Sequence, residues 1–122
     1  MLTPNLLLFY VKSPETSAQF YQTLFDREPS AVLPTYAAFD FENGLSLGLW
    51  SEEARNFVSG GNGHRSELSL MVPEDDEVIR LYEQWQQRNV TIEQPLHEAV
   101  FGLTFVALDP DGHRIRVCTP DD

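Results

Sequence analysis

Internal repetition is the strongest constraint on this chain, because the same order of elements is legible in both of its halves. The repeat is anchored on two glycines. Superposing Gly44 on Gly112 lays Leu45-Ser46-Leu47-Gly48-Leu49 over His113-Arg114-Ile115-Arg116-Val117, with the hydrophobic alternation in phase. Two halves of one architecture would both have to be misread in the same way for the repeat to be accidental. In 122 residues this predicts one small α+β domain, residues 1–122, built from two tandem βαβββ modules. Module one covers residues 4–50, a linker 51–65, and module two 66–118.

The elements follow from local chemistry. Residues 6–11 form a short apolar run of strand formers, after which Ser13-Pro14-Glu15 supplies an N-cap, a first-turn proline and an early acid. Ala18, Phe20, Tyr21, Leu24 and Phe25 recur at helical spacing up to the stop at 26–29, where a proline cannot continue the ladder. Strands are expected at 36–41 and 45–50, joined across Glu42-Asn43-Gly44, an Asn-Gly hairpin signal. The segment 51–65 contains Ser59-Gly60-Gly61-Asn62-Gly63 and reads as a flexible linker. In the second half, 67–72 is a strand stopped by Pro73, and 74–88 is a helix carrying Val78, Leu81, Tyr82 and Trp85 behind an acidic first turn. A short strand at 90–93 is expected to end at Pro95. Strands 103–108 and 114–117 then pair across Asp109-Pro110-Asp111-Gly112.

Several functional classes are excluded early. Nineteen acidic against eight basic residues give a formal charge of −11, which repels nucleic acid and anionic membranes. Cys118 is the sole cysteine, so no internal disulfide forms. The six-residue N-terminal apolar run has no basic leader and reads as a strand rather than a signal peptide, which gives a cytoplasmic expectation.

Strand alternation divides the side chains between two faces. Leu45, Leu47 and Leu49, with Leu68, Leu70 and Val72, and with Ile115 and Val117, are uniformly apolar and belong under the helices. The opposite set is mixed: Ser46, Gly48 and Trp50, then Glu67, Ser69 and Met71, then Arg114, Arg116 and Cys118. Such a mixture suits a ligand cleft, with apolar walls for affinity and a few polar groups for orientation; a solvated face or a dimer interface remain the alternatives. Trp50 is the leading ligand contact, because an indole at the end of a strand stacks well on flat rings. Phe101, Phe105 and His97 are weaker candidates. Glu67 and Arg116 share the mixed face and are expected to pair, either as a structural ion pair or as a ligand contact in which the guanidinium fork receives a carboxylate.

The βαβββ repeat ending in Asp109-Pro110-Asp111-Gly112 resembles the vicinal oxygen chelate superfamily, which includes glyoxalase I, extradiol dioxygenases, and fosfomycin- and bleomycin-resistance proteins. The resemblance covers residues 4–120. Thr3-Pro4-Asn5-Leu6, Phe20-Tyr21, Trp50-Ser51, Ser66-Glu67, Asp109-Pro110-Asp111-Gly112-His113 and Ile115-Arg116-Val117-Cys118 are together similar to the phenazine antibiotic resistance proteins of that superfamily. That resemblance implies binding of a planar tricyclic antibiotic without altering it. It also implies curved mixed sheets with a ligand cleft, completed by a two-fold homodimer. Tyr36, Phe39 and Trp85 are candidate interface aromatics.

The superfamily's enzymes place His, Glu or Gln at four strand positions to hold a divalent metal. By resemblance those positions are Leu6, Gly48, Glu67 and Arg116, of which only Glu67 has a usable donor. His64, His97 and His113 lie in or beside loops at spacings that do not converge, so they read as surface histidines, and Cys118 reads as a buried structural thiol. No metal, cofactor or catalytic residue is expected. The reading is metal-free binding and sequestration of a planar aromatic molecule, with Trp50, Ser46, Gly48, Glu67, Ser69, Met71, Phe101 and Arg116 as contacts. A metal-dependent glyoxalase-like lyase or dioxygenase is the alternative, and an interaction module using the same face is a third.

Overall fold

The computed structural model describes residues 3–55, 66–99 and 101–120. The chain forms two compact units, Met1–Gly61 and Asn62–Asp122. The first runs β1 (Leu6–Val11), α1 (Pro14–Phe25), β2 (Ala31–Leu33), β3 (Tyr36–Asp40), β4 (Ser46–Ser51). The second runs β5 (Leu68–Met71), α2 (Asp75–Gln87), β6 (Thr91–Ala99), β7 (Gly102–Leu108), β8 (Arg114–Cys118). Each unit is one helix on one four-stranded mixed sheet. The sheet orders are β1-β4-β3-β2 and β5-β8-β7-β6, so the α+β repeat read from the sequence is the observed architecture.

In the first unit, Ser13 caps α1 by accepting from the Thr16 amide at 3.1 Å, with Pro14 in the first turn as expected. The helix ends at Asp26, whose φ of 51° is left-handed. Tyr21 is fully buried and anchors the core, 6.5 Å from Phe9, 5.5 Å from Phe25 and 6.4 Å from Phe39 between ring centroids. Leu47 and Leu49 of β4 complete that core.

In the second unit the Trp85 ring lies 5.4 Å from Phe105, at 83° to it, and Tyr82 lies 5.1 Å from the same ring. Val78, Ile115 and Val117 are buried with them, so the apolar set assigned to the helix side is there. Leu45, Leu68, Leu70 and Val72 are only half-buried, because they lie toward strand ends or on the edge strand β5.

Three expectations need correction. A three-residue strand β2 precedes β3 in the first unit. It is too short to show alternation, yet it pairs Ala31 to Ala38 and Leu33 to Tyr36. Strand β6 does not stop at Pro95 but runs from Thr91 to Ala99, with register shifts between Ile92 and Gln94 and between Gln94 and His97. Because β6 is an edge strand, a proline there removes no donor the sheet needs, and the irregularity absorbs it. Phe39 and Trp85 are 0% and 1% exposed and serve their own cores, so neither is available to a partner chain.

The two hairpin glycines share one backbone state. Gly44 has φ +88° and Gly112 φ +89°, with open space where a Cβ would stand in both. The second hairpin is also tied by Asp109, whose Oδ1 accepts from the amides of Asp111 and His113 at 2.9 and 2.8 Å, while Oδ2 lies 2.8 Å from His113 Nδ1. Among the described residues no helix is long and apolar enough to cross a membrane.

Candidate functional site

In each unit the sheet face turned away from its helix carries the residues singled out from the sequence. Register fixes the neighbours in the first unit. Ser46 lies between Leu6 and Asp40, Gly48 between Leu8 and Ala38, and Trp50 between Tyr10 and Tyr36. Ser46, Gly48 and Trp50 therefore share a face, as alternation predicted. Leu6 and Leu8 are exposed and Tyr10, Tyr36 and Trp50 half-buried, so the face is apolar and aromatic. Tyr10 meets Trp50 edge-on at 6.3 Å.

The small members of this face are already engaged. Ser46 donates to Asp40 Oδ1 at 2.7 Å. Gly48 is buried: a Cβ there would stand 2.6 Å from the Tyr36 hydroxyl, 3.1 Å from Tyr36 Cε1 and 2.9 Å from Leu8 Cδ1. Tyr36 thus lies across Gly48. The site reading missed Tyr36, Leu8 and Tyr10; extending the alternation from β4 to its neighbours would have found them.

The second unit places Ser69 beside Arg116, with Glu67 one residue ahead of β5 and Met71 beside Cys118. Arg116 is the hub. Its Nε donates to Glu67 Oε1 at 2.5 Å, its Nη1 donates to Thr104 Oγ1 at 3.1 Å, and its guanidinium carbon lies 5.5 Å from the Phe101 ring centre. Ser69 makes a long 3.5 Å bond to the same Glu67 oxygen. The expected Glu67–Arg116 pair is present, with 31% and 17% side-chain exposure. Two of the guanidinium nitrogens are committed within the unit, so the fork offered to a ligand narrows to Nη2 and the remaining Nη1 proton.

Arg114 donates to Glu93 at 2.7 Å, and that bond raises the Arg114 pKa above its usual value. Met71 is 68% exposed, an apolar side chain open to contact. Phe105 is fully buried against Trp85, which removes it as a ligand contact; it shares the parity of Ile115 and Val117, not of Arg116. His97 holds Pro95 O through Nδ1 at 2.7 Å, and His113 belongs to the Asp109 turn. Cys118 is buried, and burial pushes its thiol pKa up. His64 and most of the Gly-rich segment lie outside the described residues.

The positions assigned to metal ligands by resemblance hold a leucine, a glycine, a glutamate bound to arginine, and that arginine. They do not fit a metal: two lack donor atoms, and the Glu67 oxygen is taken by a cation that would repel a second one.

Residues 3–117 match the Glyoxalase/Bleomycin resistance protein/Dioxygenase superfamily. The chain belongs to that superfamily. It is similar to the phenazine antibiotic resistance protein EhpR of Enterobacter agglomerans, 37% identical over 98% of this chain and 94% of that protein. Among solved structures, protein ATC0852 from Agrobacterium tumefaciens is 35% identical with a TM-score of 0.84, over 98% of each chain. A glyoxalase-related enzyme from Fulvimarina pelagi is 22% identical with a TM-score of 0.81, over 98% of this chain and 90% of that one, which shows the shared fold.

Proposed function

We propose that this protein confers tolerance to a planar aromatic antibiotic of the phenazine type by binding it without a metal, as one functional domain and as a cytoplasmic homodimer. The observation that carries the reading is the pair of Tyr10 and Trp50, with Leu8 beside them, on an open sheet face whose enzyme-type ligand positions carry no usable donors. Similarity to EhpR supports the ligand class. Trp50 is the stacking contact, with Ser46 and Gly48 on its strand. On the second unit's face Arg116 and Phe101 are the principal contacts, with Glu67, Ser69 and Met71 around them. Each face is tested by its own variants.

A ligand of about 20 non-hydrogen atoms at about −0.3 kcal/mol per atom binds with about −6 kcal/mol, a Kd of tens of micromolar. Titration with phenazine-1-carboxylate should quench Trp50 emission in a Trp85→Phe background. That substitution sacrifices no hydrogen bond, since the Trp85 indole nitrogen is buried without a partner among the described residues. Trp50→Ala should weaken binding roughly tenfold. Unchanged emission together with no calorimetric heat overturns the proposal, and stoichiometric Ni, Zn, Mn or Fe in protein purified without chelators transfers the weight to a lyase or dioxygenase. Light scattering that gives a monomer mass at all dilutions removes the dimer.

A further inference from the structure

From the geometry around Gly48 we infer that Tyr36 is a specificity-determining contact, selecting planar ligands that carry a hydrogen-bond acceptor in the ring plane. This rests on the aromatic-ligand reading of the first unit's face. Strand pairing puts Tyr36 directly beside Trp50, but its side chain runs back along β4 to lie on Gly48. Any side chain at 48 would occupy the space of the phenol, since even a Cβ would stand 2.6 Å from its oxygen. Gly48 is therefore a positioning residue: the missing Cβ is the berth for the Tyr36 ring.

The hydroxyl held there has a donor to give. No hydrogen bond ties it among the described residues, and its surroundings, Leu8, Gly48 and the Trp50 row, are apolar. A donor on an apolar aromatic face rejects a ring system that cannot accept from it and retains one that can, because discrimination by an unpaired polar group exceeds discrimination by shape. A heterocyclic nitrogen or a quinone oxygen meets the requirement, and a fused hydrocarbon does not. The sequence pattern Tyr36…Gly48-Leu49-Trp50 thus encodes a preference beyond flatness.

The test compares phenazine-1-carboxylate with anthracene-1-carboxylate, in which C–H replaces each ring nitrogen, by calorimetry on the full chain. Wild type should favour the phenazine by about three- to tenfold. Tyr36→Phe should abolish or invert the preference while leaving anthracene-1-carboxylate affinity unchanged. Gly48→Ala should abolish it too, with a thermal midpoint near that of wild type, because the crowded atoms are the free ends of Tyr36 and Leu8 and the backbone of Gly48 needs no positive φ. Gly48→Ala added to Tyr36→Phe should then change the preference no further. If Gly48→Ala fails to fold, Tyr36→Phe alone decides. A preference that survives Tyr36→Phe while Trp50→Ala still weakens binding overturns this inference and leaves the aromatic face intact. Wild type that binds neither compound overturns the functional reading, and this inference with it.

Discussion

Thr104→Val isolates the hydroxyl on which the second unit's polar cluster is built. Thr104 is fully buried; its Oγ1 donates to the Val117 carbonyl at 2.7 Å and accepts from Arg116 Nη1 at 3.1 Å. Valine has the shape of threonine, so no cavity opens, and the change reads the two bonds together with the cost of leaving their partners unpaired. A neutral bond contributes about 1 kcal/mol and one to a charged group about 1.5 to 3. The charged term is discounted, because Arg116 keeps Glu67 and 17% of its side chain meets solvent. The expected loss is about 2 kcal/mol. At a urea slope of about 2 kcal/mol per molar, the unfolding midpoint should fall by about 1 M. Thr104→Ser keeps the hydroxyl and loses one methyl, a cost of about 1 kcal/mol, so the serine variant should be the more stable of the two. In an Arg116→Met background the penalty for Thr104→Val should shrink toward that of the neutral bond. A valine variant as stable as wild type, or more stable than the serine variant, would refute the claim that this hydroxyl organises Arg116.

Two further outcomes follow from the hairpins and the thiol. Gly44→Ala and Gly112→Ala should each lower stability by about 1 to 2 kcal/mol in urea unfolding, with the two losses alike, because both φ values are left-handed and neither site is crowded; markedly unequal losses would contradict the shared geometry. Burial raises the Cys118 pKa, so the folded state holds the thiol proton more tightly than the unfolded state, whose pKa is about 8.5. This contribution is complete below that value and is lost as pH rises from there through the raised folded pKa, so the stability gap between wild type and Cys118→Ala should narrow above about pH 8.5, and a gap that widens would reverse the sign.

What the sequence disclosed about this protein depended on whether the information lay along the strand or across it. Parity along one strand was enough to place Trp50, Gly48 and Ser46 on one face and Leu47 and Leu49 on the other, because side-chain direction repeats every two residues. Parity should equally have put Phe105 in the core beside Ile115 and Val117, and it should have removed Phe39 from any interface, since Phe39 pairs with Leu47. Those misassignments came from weighing aromatic character above alternation. Pairing across strands was legible only as a shared face: alternation set Glu67 and Arg116 on the mixed side, and the ion pair joins them diagonally, Ser69 being the direct neighbour of Arg116. Thr104 falls on Tyr36 when Gly44 is superposed on Gly112, in the same hairpin register, but a threonine laid over a tyrosine carries no sign of a bond to Arg116, so its place under the guanidinium was not legible. Strand β2 was too short to alternate, and the passage of β6 through Pro95 depended on its place at a sheet edge, which belongs to the topology rather than to the residues near the proline. Tyr36 is the extreme case. Alternation puts it on the right face, but its position over Gly48 is a choice of side-chain rotamer, made possible by a missing Cβ twelve residues away in sequence. A glycine inside a strand is read from sequence as a weak point or a ligand approach; here the space is filled by the protein's own phenol, and the relief of that sheet face is set by this packing.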